Sequence, residues 1–156
     1  MISIRRCALD DIHILMKFIE ENWGRHHILA HNKKLVDWQH ATEDGYNFIL
    51  AWDGHLLVGA LGYIPIKRYD SVLCTENIIW LALWKVREDY QSSMVGLRLL
   101  SALTSMEPSA DLAVNGINAA VEPIYKALGY QTDNLNHYYS VNKNYKPELI
   151  SAPKNY

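Results

Sequence analysis

The segment Gln91-Ser-Ser-Met-Val-Gly96 has the features of an anion-binding loop. It opens a stretch with a helical pattern over residues 91–105. The first turn of a helix leaves backbone N–H groups unpaired, and the aligned peptide dipoles favour negative charge there. A glycine lets the backbone approach a phosphate closely. An amide can also donate from Met94 if the methionine side chain points away.

Histidines and cysteines offer two other chemistries, a metal site and a nucleophile. His27 and His31 are one helical turn apart and His26 is adjacent, but no third ligand has a matching spacing. We therefore expect no metal. Cys7 and Cys74 have no metal-ligand spacing and no visible nucleophilic partner, so we expect reduced thiols and no acyl-enzyme route.

The first half of the chain predicts a strand, two helices and a hairpin. The strand contains Ile2 and Ile4, and the second helix spans residues 32–43 with Leu35 and Trp38 facing inward. Two β-rich runs flank Asp53-Gly54, which is a strong hairpin signal. The predicted strands are residues 46–52 and 55–64.

The second half predicts three strands separated by two helices, the first of which is the helical stretch at residues 91–105. The apolar run 78–86 suits a strand that is buried on both faces, with Trp80 and Trp84 in the core. A short strand at 112–114 precedes a helix at 118–128, and residues 138–141 form the last strand.

These elements alternate as β-α-α-β-β-β-α-β-α-β. The order predicts one α/β (α+β) domain over residues 1–142, with a mostly antiparallel sheet and a parallel pair in its middle. The tail, 143–156, contains two prolines and no periodicity, so we expect it at the surface or against another chain, as in a homodimer.

Composition narrows the class of partner. The chain has 156 residues, of which 49% are hydrophobic, and a formal net charge of −2. This charge argues against nucleic acid as the main partner. We also find no secretory signal and no run long enough to cross a bilayer, which predicts a soluble cytoplasmic protein without a membrane partner.

Two motifs resemble the GNAT (Gcn5-related N-acetyltransferase) family. The first resembles its acetyl-CoA loop, where a strand ending in valine runs into Gln/Arg-x-x-Gly-x-Gly/Ala; Met94 stands where that family has its first glycine. The residues of this motif are Leu83, Trp84, Val86, Gln91, Ser92, Ser93, Met94, Val95 and Gly96.

The second motif is similar to the family's Asn-x-x-Ala-x-x-Leu-Tyr-x-x-Leu-Gly-Phe segment. Asn118, Tyr125 and Gly129 stand in register with it. The resemblance implies a mixed sheet with a splayed parallel pair flanked by helices, and an acetyl-CoA or other short acyl-CoA between the strands. It also implies that Asn118 holds the pantetheine arm and that Tyr125 is the general acid toward the departing thiolate. For Tyr125, packing inside the helix is the alternative.

The general base is open between two interpretations. The family often has a glutamate at the position that Ile78 occupies here. Glu76 lies two residues earlier, where it either orders a water near the amine or faces solvent.

The acceptor is expected to be a small primary amine, bordered by Trp23, His26, His27 and Tyr138. The chain also resembles aminosugar N-acyltransferases of bacterial surface-polysaccharide pathways, which suggests a nucleotide-linked aminosugar. Two alternatives are a catalytically decayed acyl-CoA-binding module and a protein lysine or N-terminal acetyltransferase.

Overall fold

The structure is a computed structural model that describes residues 1–70, 72–73 and 77–136. The chain divides into two compact units, Met1–Gly116 and Ile117–Tyr156. Two of the predicted site residues, Glu76 and Tyr138, lie outside the described residues, as do Cys74 and the predicted strand at 138–141.

The first unit is built on a five-stranded sheet in which the strands follow their order in the chain. The first three pairings are antiparallel and the last, between β4 and β5, is parallel. The predicted mixed sheet with a parallel pair is therefore confirmed. The strands are β1 (Ile2–Ala8), β2 (Gly45–Asp53), β3 (Leu56–Pro65), β4 (Ile78–Val86) and β5 (Asp111–Val114).

Helices cover both faces of this sheet. One face carries α1, α2 and α3, whose buried residues form one core cluster with Phe48 and Leu50 of β2. The other carries α4, whose Val95 and Leu99 lie against Gly59 of β3. The helices are α1 (Ile12–Asn22), α2 (Ile28–His31), α3 (Lys33–His40) and α4 (Val95–Met106), with α5 (Glu122–Ala127) in the second unit. In the described part of the chain, no helix has the length and apolar character that a bilayer crossing needs.

The hairpin between β2 and β3 forms at the predicted turn. Gly54 has a φ of +57°, a left-handed conformation that glycine adopts without steric cost. The two strands are therefore joined by Gly54 and His55 alone, which fixes their register locally.

The predicted second helix is shorter and turned differently from the prediction. α3 begins after Asn32, whose side-chain oxygen accepts the N–H of Leu35 at 3.0 Å. Its inward residues are Val36 and His40, one turn apart, whereas Trp38 is 60% exposed. The prediction that Trp38 faces inward is wrong, because the buried stripe includes a histidine that reads as polar in the sequence.

Strand β4 is not buried on both faces along its length, which corrects the prediction for residues 78–86. Ile79 and Leu81 are buried, but Trp80 between them is 41% exposed and so is not a core residue. Opposite β3, the register shifts so that Ala82 is an extra residue. This bulge reverses the alternation, and Leu83 after it joins the core of α1, α2 and α3.

Candidate functional site

The parallel pair of strands opens at the bulge. Its register runs from Ile78 opposite Asp111 to Leu81 opposite Val114 and ends there. β4 continues through residues 82–86 alongside β3, with no β5 residue opposite it. Past Val114 the chain turns at Gly116, whose φ is +71°. Among the described residues of the first unit, the backbone of 82–86 therefore has an edge to which an extended, amide-containing ligand could pair.

Helix α4 starts next to this opening, four residues later than the sequence predicts. A 3-10 turn over Glu88–Ser93 comes first, so Gln91, Ser92 and Ser93 precede the helix. No side chain caps the start of α4, and its first intrahelical bond is from the N–H of Arg98 to the carbonyl of Met94 at 3.0 Å. The preceding amides at 95–97 can therefore bind an anion.

Met94 joins the 3-10 turn to α4 in a left-handed conformation, with φ 58° and ψ 11°. In the described residues it is the one non-glycine with a positive φ. Such a conformation costs a non-glycine residue roughly 1–2 kcal/mol. The side chain is 64% exposed. The structure thus gives a physical reason why a glycine would suit this position.

Gly96 brings the start of α4 close to the end of β4. A Cβ atom at this position would lie 3.4 Å from Nε1 of Trp84 and 3.6 Å from Cγ2 of Val86. Val95 is fully buried, so only its backbone can serve a ligand. The structure therefore brings four of the predicted cofactor residues together. It separates Leu83, whose side chain lies on the opposite face of the sheet.

The side chains around the 3-10 turn pair with one another. Arg87 lies 3.1 Å from Asp89, and this hydrogen bond holds the pKa of the Asp89 carboxyl below its usual value. The hydroxyl of Tyr90 donates to Asp53 at 3.0 Å. Attraction for an anion at this place therefore comes mainly from the backbone amides of α4.

In the second unit, Asn118 begins a turn that leads into α5. Its side-chain oxygen accepts the N–H of Ala120 at 2.9 Å, and its carbonyl accepts that of Val121 at 2.8 Å. The helix itself starts at Glu122, later than the predicted 118. Gly129, with φ +86°, ends this region as predicted.

Tyr125 is the buried residue of α5. Its ring meets that of Tyr130 edge-on, with centroids 5.4 Å apart. Burial, and secondarily the neighbouring Tyr130, raise the pKa of the Tyr125 hydroxyl to about 12. The phenol is therefore a hydrogen-bond donor at every physiological pH.

Trp23 and His27, two of the predicted acceptor residues, form a pair between α1 and α2. Their rings meet edge-on at 5.7 Å, and Trp23 is exposed. Nδ1 of His27 accepts the N–H of Leu29 at 3.3 Å, and burial lowers the pKa of His27. The neutral ring thus carries its proton on Nε2, which makes His27 a donor rather than a base. His26 is exposed beside it.

Two histidines of this region, His27 and His31, hydrogen-bond to the backbone. Nε2 of His31 hydrogen-bonds to the carbonyl of Arg25. Across the described residues, no three or more His, Cys, Asp or Glu side chains are grouped to hold a metal ion. Cys7 is buried, and mainly for this reason its thiol pKa is raised to about 12, which suppresses the reactive thiolate.

Several solved structures that share this fold are acetyltransferases. The aminoglycoside N-acetyltransferase AAC(6')-Iy, in complex with a CoA-linked bisubstrate analogue, aligns with 91% of this chain and 99% of its own, at 12% identity and a TM-score of 0.67. The fold is that of the GNAT acetyltransferases.

Two further structures share this GNAT fold. An aminoglycoside acetyltransferase from an uncultured soil metagenomic sample has 13% identity and a TM-score of 0.67, over 91% of this chain and 99% of its own. The ribosomal-protein-alanine N-acetyltransferase of Brucella melitensis has 14% identity and a TM-score of 0.63, over 90% and 99%. No protein-family model matches the sequence, and no curated protein matches it.

Sequence reasoning missed two features of the site. The bulge at Ala82 has no signal in an apolar run, because every residue of the run fits a strand. The left-handed backbone at Met94 is hidden because methionine is not a residue that indicates a positive φ.

Proposed function

We propose that this chain is an N-acyltransferase that moves an acetyl or short acyl group from acyl-CoA to a small primary amine. The observation that carries the proposal is the left-handed Met94 ahead of uncapped α4 amides, beside a parallel strand pair that opens at Ala82. The amides at the start of α4 suit a pyrophosphate, and the opening between the two strands suits the amide-rich pantetheine arm. The CoA-bound complexes of structural neighbours support the same arrangement.

Each part of the donor would have its own contacts. The pyrophosphate would accept from the amides of residues 95–97, and the pantetheine amides would pair with the edge of residues 82–86. Asn118 would donate from its side-chain Nδ2 to this arm, because its Oδ1 is already bonded to Ala120.

The reaction would be a direct transfer. The neutral amine attacks the thioester carbonyl carbon, a C–N bond forms and the C–S bond breaks with its electron pair leaving on sulfur. The amine proton leaves to solvent or a base, and the thiolate takes up a proton. Tyr125 would donate a hydrogen bond to the sulfur as its charge grows. Full proton transfer is unfavourable, because the Tyr125 pKa of about 12 lies well above a thiol pKa of roughly 8.5.

The acceptor would be an amine of lowered basicity. A lysine amine, with a pKa of about 10.4, is neutral roughly four times in ten thousand at pH 7, whereas an amine of pKa ~8 is neutral about one time in ten. Ile78 supplies no base, and His27 presents a donor. Glu76 remains a proposed base that would act through a water.

An amino group on a sugar meets this requirement, because neighbouring hydroxyls lower its pKa. We therefore propose an aminosugar acceptor, with a nucleotide-linked aminosugar as the first candidate. Trp23 offers an exposed ring for a sugar face, and Nε2–H of His27 can donate to a hydroxyl. The aminoglycosides of several structural neighbours are also sugars that carry amines.

The test combines binding and turnover. Calorimetry should detect acetyl-CoA binding, and absence of binding at millimolar concentration would remove the proposed function. Turnover should then be measured with amino-deoxysugar nucleotides, aminoglycosides, polyamines, amino acids and lysine or N-terminal alanine peptides. Acetylation of peptides alone would move the chain to the protein-modifying class. Binding without turnover on any amine would favour a decayed module, which Met94 and Ile78 would then explain.

A further inference from the structure

A cavity of about 310 Å³, with both polar and apolar side chains in its wall, lies in the first unit, at the end of the sheet away from the start of α4. Glu107, which follows the last residue of α4, belongs to its wall. A helix of this length spans on the order of 18 Å, so the cavity is well separated from the amides at 95–97. The lining residues that matter are Arg6, Asn47, Tyr63, Lys67, Arg68 and Glu107.

Strand geometry directs polar groups into this cavity. Asn47 precedes Phe48, and Tyr63 follows Gly62, which is opposite Phe48 across the β2–β3 pair. The Phe48 side chain lies in the core of α1, α2 and α3. Because neighbouring strand residues point to opposite faces, Asn47 and Tyr63 face the α4 side together.

These two residues are largely buried, and their polar groups are not used inside the protein. Asn47 is 7% exposed and Tyr63 is 1% exposed. Among the described residues, neither the Asn47 amide group nor the Tyr63 hydroxyl makes a side-chain hydrogen bond. The buried side-chain atoms that lack a partner in the described residues are Nε2 of His40 and Nε1 of Trp52, so the polar atoms of Asn47 and Tyr63 keep accessible surface. They are therefore available to a ligand in the cavity that they line.

The charge of the wall indicates the sign of that ligand. Among the described residues of the wall, three are cationic (Arg6, Lys67 and Arg68) and one, Glu107, is a carboxylate. Arg6 pairs with Glu107 at 2.7 Å, and the Arg68 guanidinium binds backbone carbonyls of α3. Lys67 has no ion pair in the described part of the chain. The wall thus has an excess of positive charge.

We propose that this cavity is a second ligand site, which takes a small organic or inorganic oxyanion and is separate from the acyl-transfer site. The oxyanion accepts from Nζ of Lys67, the Asn47 amide and the Tyr63 hydroxyl. A cavity of this size is at the lower end for ligand sites, about 300 Å³, which limits the occupant to a phosphate, a phosphorylated three- or four-carbon unit or a small polycarboxylate.

The experiment titrates the full chain with sodium phosphate or sodium citrate and monitors the backbone amides by two-dimensional NMR. Sodium chloride at matched ionic strength is the control. Saturable shifts of the Asn47 and Tyr63 amides with phosphate or citrate, and none with chloride, are expected. Shifts with phosphate but not with citrate would identify a phosphate ligand. Shifts with citrate but not with phosphate would identify a carboxylate ligand. Shifts confined to residues 94–98, or no saturable shift at 20 mM, would overturn the proposal.

Variants localise the binding. Tyr63→Phe and Lys67→Met should each weaken it at least fivefold, while the matched controls Tyr46→Phe and Lys34→Met leave it unchanged. Acetyl-CoA binding should be the same in all four proteins, so failure of the second site is distinguishable from failure of the proposed function. Unchanged oxyanion affinity in both cavity variants would also overturn the proposal.

Discussion

At the scale of single residues, the hydroxyl of Tyr125 has the most specific task in the proposed reaction. Burial raises its pKa to about 12, so the phenol stays protonated while it faces a developing thiolate. A donor of this kind assists by a hydrogen bond that strengthens in the transition state, and it does not improve substrate binding.

We therefore expect Tyr125→Phe to lower kcat by about ten- to a hundredfold with little change in KM for the acyl donor. Tyr130→Phe, which alters the neighbouring ring in the same unit, is the matched control and should retain most of the rate. Steady-state and single-turnover kinetics measure both values. Equal kcat in Tyr125→Phe and the native protein, with chemistry rate-limiting, would reduce Tyr125 to a packing residue.

Met94 holds a conformation that costs it energy. Met94→Gly should relieve this cost, offset in part by the greater freedom of glycine in the unfolded chain, for a net gain of about 0.5–1 kcal/mol in the free energy of unfolding. It should also bind CoA more tightly, because a glycine lets the pyrophosphate approach more closely.

Urea unfolding and calorimetry check both effects. Ser93→Gly is the control, since Ser93 does not have a positive φ and should gain nothing. A loss of stability in Met94→Gly would mean that its exposed side chain has contacts that outweigh the strain.

At the scale of elements, Arg68 connects the segment after β3 to the end of α3 by hydrogen bonds. Its guanidinium donates to the carbonyls of Trp38 at 2.9 Å, Asp37 at 3.0 Å and Ala41. The carbonyl of Asp37 also accepts the N–H of Ala41 at 3.1 Å. Carbonyls at the end of a helix sit at the negative end of its dipole, so a cationic donor there stabilises them.

Arg68→Met should lower the free energy of unfolding by about 2 kcal/mol, because partly buried carbonyls lose a charged donor. Lys67→Met, which removes an adjacent exposed cation, should change it by less than about 0.5 kcal/mol. Denaturant midpoints compare the two variants. Equal losses of stability in the two variants would show that the positive charge alone, and not the hydrogen bonds to the end of α3, stabilises the fold.

The elements that sequence predicts well are those that local signals determine. The hairpin around Gly54 follows from its turn residue and flanking β-rich runs, and the end at Gly129 follows from its left-handed backbone. The face of α3 was predicted wrongly, because His40 is buried through tertiary packing against Phe48 and not through its own polarity. The register shift at Ala82, which turns Leu83 to the other face, also depends on the neighbouring strand.

In the candidate site, too, local signals predict some features, and others depend on tertiary structure. Trp84, Val86 and Gly96 lie close together, since only a short 3-10 turn separates the end of β4 from the start of α4. The side chain of Leu83 lies on the other face because of the bulge before it, so only its backbone could serve the predicted cofactor contact. The roles of Asn118 and Tyr125 stay predictions.

At the scale of the whole molecule, a buried histidine links stability to pH. His40 is fully buried between α3 and the sheet, with Nδ1 donating to the carbonyl of Tyr63 at 3.2 Å. Burial lowers its pKa from 6.5 to about 4. Between these values the unfolded chain binds the proton and the folded chain does not, so stability is complete above pH 6.5 and falls as the pH falls toward 4.

The loss should reach ~2 kcal/mol by pH 5, and His27, whose pKa is also lowered by burial, acts in the same direction. Urea unfolding from pH 7.5 to 5 measures this slope. His40→Leu should flatten most of it, whereas His13→Leu, at an exposed position, should leave it intact. A slope that survives in His40→Leu would assign the acid sensitivity to other groups.

The strand order also bears on how the molecule folds. β2 and β3 pair across a two-residue turn, but β5 reaches the sheet only after α4 has crossed over it. A crossover closes a longer loop than a hairpin, so β5 should dock late in folding. With only four paired residues, it should also be among the first elements to open, which rapid amide exchange would reveal. A bound acyl donor between β4 and β5 would slow that opening, so the substrate would help to complete the fold that binds it.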